Sequence, residues 1–284
     1  MRLMLLLWLP GTAQAHAVDW NDGRSLLPAL GWLLVWAAYA AGAARRRPPP
    51  GRRLLFHAGM VVGALALFGP LDRWAERSTA WHMVQHMLLI GAVAPLLVLA
   101  APLGAWRAVA GRGFDAAARA FVRAGRRPMA CAAVLAAALW VWHAPGPYEA
   151  ALRHEGWHWL AHASFLLSAL PFWQATLHHG RARAGTAALA LLFTLMHTGA
   201  LGALLTFARA PLYPPGDLAD QQLAGLVMWV PGGLVYLVAM AALVVRAWLR
   251  PDGDVVAPLA RRAAFTPPNA TTRRNARGSA RGAG

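Results

Sequence analysis

Two pairs of histidines have a spacing that could hold a metal ion. His82 and His86 form one pair, and His158 and His162 form the other, each at positions i and i+4. On a helix, side chains at this spacing share one face, with their Cβ atoms about 6 Å apart, so two imidazoles can reach one ion. The sequence therefore predicts two helices that each present a pair of imidazoles to a metal.

Methionines accompany the first histidine pair. Met83 and Met87 directly follow His82 and His86, and they form a second i, i+4 pair on a face rotated by about 100°. Imidazole together with thioether suits copper, and Cu(I) especially, better than magnesium or calcium. The alternative is that these histidines are amphipathic residues at a membrane boundary and that the methionines fill gaps in helix packing.

Three more histidines extend the set of candidate metal ligands. His143 ends an apolar segment on the same predicted side of the membrane, and His197 lies near the middle of another segment. An ionisable residue at that depth is costly and usually has a partner or a function. His16 is a third candidate, because as a free N-terminal residue it would offer copper both its amine and its imidazole.

A polar run could form hydrogen bonds to the histidines that bind the metal. Asp220, Gln221 and Gln222 stand at the start of the last apolar segment. Their side chains could orient imidazole N–H groups, or they could cap the helix that follows. Both interpretations remain open from the sequence.

Membrane-spanning helices must position these side chains. The chain of 284 residues is 58% hydrophobic and 13% charged, with a mean hydropathy of +0.42, which is typical of a membrane protein. The predicted fold is an all-α integral membrane bundle of about seven transmembrane helices, with six as the alternative count because the fourth segment is short. The apolar segments are 26–44, 54–70, 81–101, 128–143, 158–177, 186–208 and 221–245.

Prolines recur at one distance from these polar groups. Pro95, Pro171 and Pro231 each follow His86, His162 or Gln222 by nine residues. Each of three helices would then carry a polar group near one end and a kink about two and a half turns further along. The pattern predicts a bundle built from repeated helical hairpins, with a chance match as the alternative.

The arginines predict how the bundle is oriented. The chain has a formal net charge of +16, and its arginines cluster at 45–53, 107–127, 181–183 and 246–281. An outer N-terminus and a cytoplasmic C-terminus place all four clusters on the cytoplasmic side, as the positive-inside rule requires. Orientation in a lipid bilayer thus explains the charge, and no nucleic-acid partner is needed.

The two ends of the chain differ from the bundle. Residues 1–15 have the features of a signal peptide: Arg2, a short apolar run, and the small-residue site Ala13-Gln14-Ala15. Cleavage there would make His16 the first residue of a transmembrane domain that extends over 16–250. Residues 251–284 have the composition of a disordered, basic, cytoplasmic tail.

Several sequence runs resemble those of a known family. They are Trp81-His-Met-Val-Gln-His-Met-Leu-Leu, Ala94-Pro-Leu-Leu-Val-Leu-Ala-Ala-Pro, Trp142-His-Ala-Pro-Gly-Pro-Tyr, Pro211-Leu-Tyr and Asp220-Gln-Gln-Leu-Ala-Gly-Leu-Val-Met-Trp-Val-Pro-Gly-Gly. Together they resemble the CtaG family of bacterial cytochrome c oxidase assembly factors, the polytopic kind associated with caa-type oxidases. The resemblance implies an inner-membrane protein that helps to mature the haem–copper oxidase and has oxidase subunits as partners.

The leading hypothesis is a non-enzymatic factor that binds copper and passes it to the oxidase. The single cysteine, Cys131, excludes a paired-cysteine copper site, so the metal must rely on histidine and methionine. A copper transporter with a path through His197 is one alternative. A membrane electron carrier with bis-histidine haem is another, and the second histidine of each pair would then remain unexplained. No HExxH, GxSxG or P-loop motif indicates catalysis.

Overall fold

The computed structural model describes residues 23–213 and 217–248. All regular structure in these ranges is helical. The α-helices are α1 (Gly23–Arg46), α2 (Pro50–Leu67), α3 (Pro70–Ala75), α4 (Thr79–Leu88), α5 (Ala94–Ala100), α6 (Leu103–Ala110), α7 (Asp115–Ala124), α8 (Pro128–His143), α9 (Pro145–Arg153), α10 (Glu155–Leu177), α11 (Ala184–Thr206) and α12 (Leu218–Trp248). A π-helical turn, Leu89–Val93, joins α4 to α5.

Three predictions fall outside the described residues. These are the signal peptide at 1–15, the N-terminal copper ligand His16 and the tail at 251–284. The chain divides into a unit that extends to Val244 and a second unit from Val245 onward. Of the second unit, the structure describes only 245–248, which form the last turn of α12.

The predicted all-helical membrane fold is confirmed, with seven as an approximate count of spans. Five stretches are long and apolar enough to cross a bilayer: Leu26–Arg46, Pro50–Ala75, Thr79–Ala100, Ala184–Thr206 and Leu218–Arg246. The pair α8 and α9, bent by 72°, is a sixth if it counts as one span. The remaining predicted segment, the fifth (158–177), corresponds to α10, whose 23 residues include two histidines and two serines.

Helix α10 buries one side against four neighbouring helices. It packs against α5, α8, α9 and α11, and its buried side chains include Phe165, Phe172 and Trp173. Leu160 and Leu167 of the same helix are exposed, so its other side faces away from the core. Pro171 is accommodated within this helix, as Pro231 is within α12.

The π turn after α4 accommodates Pro95. The amide of Ala94 donates to the carbonyl of Leu89, five residues back. In the same register, an amide at position 95 would donate to the carbonyl of Ile90. Pro95 has no N–H. The indole Nε1 of Trp173 in α10 donates to the Ile90 carbonyl instead, at 2.7 Å. One side chain thus satisfies the carbonyl that the proline leaves open and joins α10 to the third span.

Two glycines allow α11 and α12 to approach closely. A Cβ atom at Gly225 would lie 2.5 Å from the carbonyl oxygen of Gly202 and 2.5 Å from Oγ1 of Thr206. Only glycine fits at such a crossing, where backbones touch without intervening side chains. This contact sets the start of α12 against the end of α11.

A carboxylate from α12 caps α4. Oδ1 of Asp220 accepts a hydrogen bond from Oγ of Ser78 at 2.6 Å, and Oδ2 accepts one from the backbone amide of Thr79 at 2.5 Å. Ser78 is itself the N-cap residue of α4, because its Oγ accepts from the amide of Trp81. Negative charge at a helix N-terminus is favourable. The cap therefore fixes where the helix that carries His82 begins.

We predict that Trp173→Phe destabilises the bundle. The phenyl ring preserves most of the packing but leaves the buried Ile90 carbonyl without a donor, which costs about 1–3 kcal/mol. The unfolding midpoint of the purified protein in detergent should fall accordingly. Trp140→Phe is the control, because Trp140 is 41% exposed and its replacement should change stability by less than about 0.5 kcal/mol. Equal midpoints for the two variants would contradict the proposed role of the indole.

Candidate metal centre

Three histidines from two helices form a compact group. His82 and His86 belong to α4 and His162 belongs to α10, and one ring nitrogen of each lies within 4.8 Å of the others. All three side chains are buried, with at most 4% of their surface exposed. Among the described residues this is the group of histidine, cysteine and acidic side chains whose geometry could hold an ion.

Helix geometry and helix packing both contribute to this convergence. The i, i+4 spacing places the rings of His82 and His86 4.3 Å apart, measured between centroids. The ring of His162 lies 5.2 Å from that of His86 and 6.1 Å from that of His82. Phe165, one turn after His162, packs against His86 at 4.7 Å and closes the group on its apolar side.

Several ring nitrogens in this group have no hydrogen-bond partner. Within the described part of the chain, both nitrogens of His86 and Nε2 of His162 are buried and unpartnered. Leaving such an atom unpaired in a protein interior costs about 1–3 kcal/mol. An ion bound to the imidazole lone pairs would remove this penalty. The ligand set fits copper, which accepts several neutral imidazoles.

His158 lies at the edge of the group. Its ring stacks on that of His82 at 5.3 Å and lies 4.3 Å from that of His162. Its side chain is half-buried, unlike those of the three central histidines. The two predicted pairs therefore meet in space, with three rings enclosed and the fourth at the rim.

His143 and Met83 meet beside the three-histidine group. Nδ1 of His143 is 2.7 Å from the carbonyl oxygen of Leu139, and Nε2 is 3.3 Å from Sδ of Met83. The His143 ring lies 5.8 Å from that of His86. Both side chains are buried, so the structure places these two candidate ligands next to His86.

The remaining candidate residues lie in other surroundings. Met87 packs near Gly232, where its Sδ would be 2.9 Å from an added Cβ. His197 contacts Phe193 in α11, with 5.1 Å between the rings, and its ring nitrogens have no partner among the residues described. Neither belongs to the compact histidine group.

The polar run at the start of α12 makes hydrogen bonds to the preceding loop and to α4. Asp220 caps α4, as described above. Oε1 of Gln221 accepts from the amide of Leu212 at 2.6 Å, and Nε2 of Gln222 donates to the carbonyl of Ala208 at 3.0 Å. These bonds fix the connection between α11 and α12 and the beginning of the helix that carries His82.

Two tyrosines that the residue spacing did not indicate cover the site. The hydroxyl of Tyr213 donates to the carbonyl of His143 at 2.8 Å, and its ring stacks on that of Tyr148 at 3.8 Å. The ring centroid of Tyr148 lies 5.8 Å from that of His82. Burial raises the pKa of Tyr213 to about 12, so its hydroxyl remains protonated and able to donate. A signal was present, because each tyrosine ends one of the runs that carried the family resemblance.

A buried acidic network also escaped the sequence analysis. Nε2 of Gln85 donates to Oδ1 of Asp72 at 2.9 Å and to the carbonyl of Ala66 at 2.8 Å. Burial and the nearby carboxylate of Asp72 raise the pKa of Glu76 to about 7. The signal here was positional, because Gln85 directly precedes His86 and Asp72 and Glu76 stand at i and i+4. Through Gln85, this network links α3 to the histidine helix.

The comparison with protein families agrees with the sequence motifs. The family described as cytochrome c oxidase caa3 assembly factor matches residues 29–250, which include every histidine of the site. No curated protein and no solved structure matches the chain. Because the match covers most of the sequence, the chain belongs to the caa3 cytochrome c oxidase assembly factor family.

Proposed function

We propose that this assembly factor binds copper at His82, His86 and His162 and delivers it to a subunit of the oxidase. The observation that carries the proposal is the convergence of three buried imidazoles whose nitrogens include several without hydrogen-bond partners in the described chain. The oxidases that this family assembles are haem–copper enzymes, as the resemblance implies. Copper is the substrate in this proposal, received from one donor and released to one acceptor.

The ligand chemistry supports transient binding. Neutral imidazoles satisfy the coordination preference of copper without cancelling its charge. An acceptor that offers thiolate ligands can therefore draw the ion away. The cysteine of this chain does not compete, because Cys131 is buried and its Sγ donates to the carbonyl of Ala124 at 3.2 Å.

Copper binding by the purified protein tests the site directly. Full-length protein in detergent is loaded anaerobically with Cu(I) and then desalted. We expect it to retain at least about one copper ion per chain. His82→Ala/His86→Ala should lose most of it, because one imidazole of the group cannot hold the ion alone. His162→Ala should bind copper less tightly, because two imidazoles of the group remain. His179→Ala is the matched control, since Nδ1 of His179 contacts the carbonyl of Gly180 in its own loop, away from the histidine group.

Other results of this experiment would favour other functions. Wild-type protein that retains no copper would contradict the proposal. A Soret band in the purified protein would favour bis-histidine haem and electron transfer. Cellular copper uptake that depends on His197 would favour transport, with that histidine on the path.

Oxidase maturation in the native host provides the functional test. We expect a strain that carries His82→Ala/His86→Ala to match the deletion strain in oxidase activity and in copper per oxidase. The strain that carries His179→Ala should match the wild type. Immunoblots must show equal amounts of each variant in the membrane. A normal amount of copper per oxidase in the double-variant strain would contradict the proposed role of this site.

We also propose that the histidine site faces outward across the bacterial inner membrane and that the C-terminus is cytoplasmic. The arginine clusters support this orientation through the positive-inside rule. A Cys131→Ala background permits single-cysteine labelling, since the chain has one cysteine. A membrane-impermeant maleimide on intact spheroplasts should label Gly146→Cys, near the histidine site, and not Arg112→Cys. The reverse pattern would overturn the orientation.

A further inference from the structure

The contact between His143 and Met83 has an unusual chemical composition. A carbonyl oxygen cannot donate a hydrogen bond, so Nδ1 of His143, 2.7 Å from the Leu139 carbonyl, must carry the proton. In the neutral ring, Nε2 then carries a lone pair. The atom that faces it at 3.3 Å is the thioether sulfur of Met83, which has lone pairs and no proton. Two electron-pair donors therefore face each other in a buried place.

A proton does not explain this contact well. A second proton at Nε2 would make His143 an imidazolium beside Phe165 and His86. Burial of a charge without an ionic partner is expensive inside a helix bundle. A soft cation placed between nitrogen and sulfur satisfies both lone pairs, and Cu(I) prefers this combination of ligands.

His86 is placed to serve both groups of ligands. Its ring lies 4.3 Å from that of His82, 5.2 Å from that of His162 and 5.8 Å from that of His143. Both of its nitrogens are buried and have no partner in the described ranges. A neutral imidazole has one lone pair, so His86 can bind one ion at a time through one nitrogen, and its ring lies between the two groups of ligands.

We propose that Met83 and His143, together with His86, form a second copper position next to the three-histidine position, and that the ion is carried as Cu(I). This inference rests on the proposed function and adds the oxidation state and a route within the protein. The ion moves by ligand exchange: a bond from copper to His82 or His162 breaks as a bond to Met83 or His143 forms. Copper remains Cu(I) throughout, and His86 stays bound through the same nitrogen while the other ligands exchange. Each neutral imidazole binds through its one lone pair, so no proton has to leave.

X-ray absorption of the Cu(I)-loaded, full-length protein tests the second position. We expect both nitrogen and sulfur ligands in the wild type at saturation. Met83→Leu, similar in volume, should leave nitrogen ligands only and weaken Cu(I) binding in a chelator competition by about tenfold or more. Met87→Leu is the matched control, because Met87 lies one turn further along the same face but packs near Gly232. It should retain the sulfur ligand and the wild-type affinity.

The outcomes separate this inference from the proposed function. Bound copper with nitrogen ligands only in the wild type would overturn the second position and leave the three-histidine site intact. Loss of sulfur in Met87→Leu but not in Met83→Leu would also overturn it. No bound copper in the wild type would overturn both proposals. The wild-type spectrum needs no substitution, so misfolding of a variant cannot decide the result.

Discussion

Polar atoms inside a membrane helix bundle must find their partners within the protein, and this constraint shapes most of the structure. Lipid offers no hydrogen bonds, so each unpaired group is costly. The Ile90 carbonyl, left open by Pro95, is paired with Trp173. The carboxyl group of Asp72 is paired with Gln85. Both nitrogens of His86 are among the buried polar atoms that have no partner in the described residues. The proposed copper site would supply one for the nitrogen that carries the lone pair.

The geometry of the site depends on contacts at the beginning of α4 and just beyond its end. At its beginning, Asp220 from α12 holds Ser78 and the amide of Thr79. Beyond its end, the π turn is joined to α10 by Trp173. His82 and His86 lie between these two contacts, and His162 lies on the same helix as Trp173. Contacts that do not touch the imidazoles therefore determine how far apart the imidazoles are.

The sequence predicted the helical membrane fold and the candidate ligands better than it predicted their surroundings. Composition and apolar segments identified the bundle, because a lipid environment constrains every exposed residue in the same way. Helix α10 was predicted as an ordinary span, but the spacing of its residues could not show which of them pack in the core, because its partners are far away in the chain. Local spacing likewise suggested the pairs His82/His86 and His158/His162 but could not show that both pairs meet. Tyr213 and Asp220 belong to the site through contacts that span 70 residues or more.

The bond from Trp173 to Ile90 also affects the entropy of binding. It joins α10 to the third span and so helps to hold His162 opposite His86. In the proposed copper transfer, the conformational entropy of ordering these rings would be lost during folding and not again on binding. Such a preorganised site would need little rearrangement to accept or release the ion, so exchange would depend mainly on the relative strengths of the ligands of donor and acceptor.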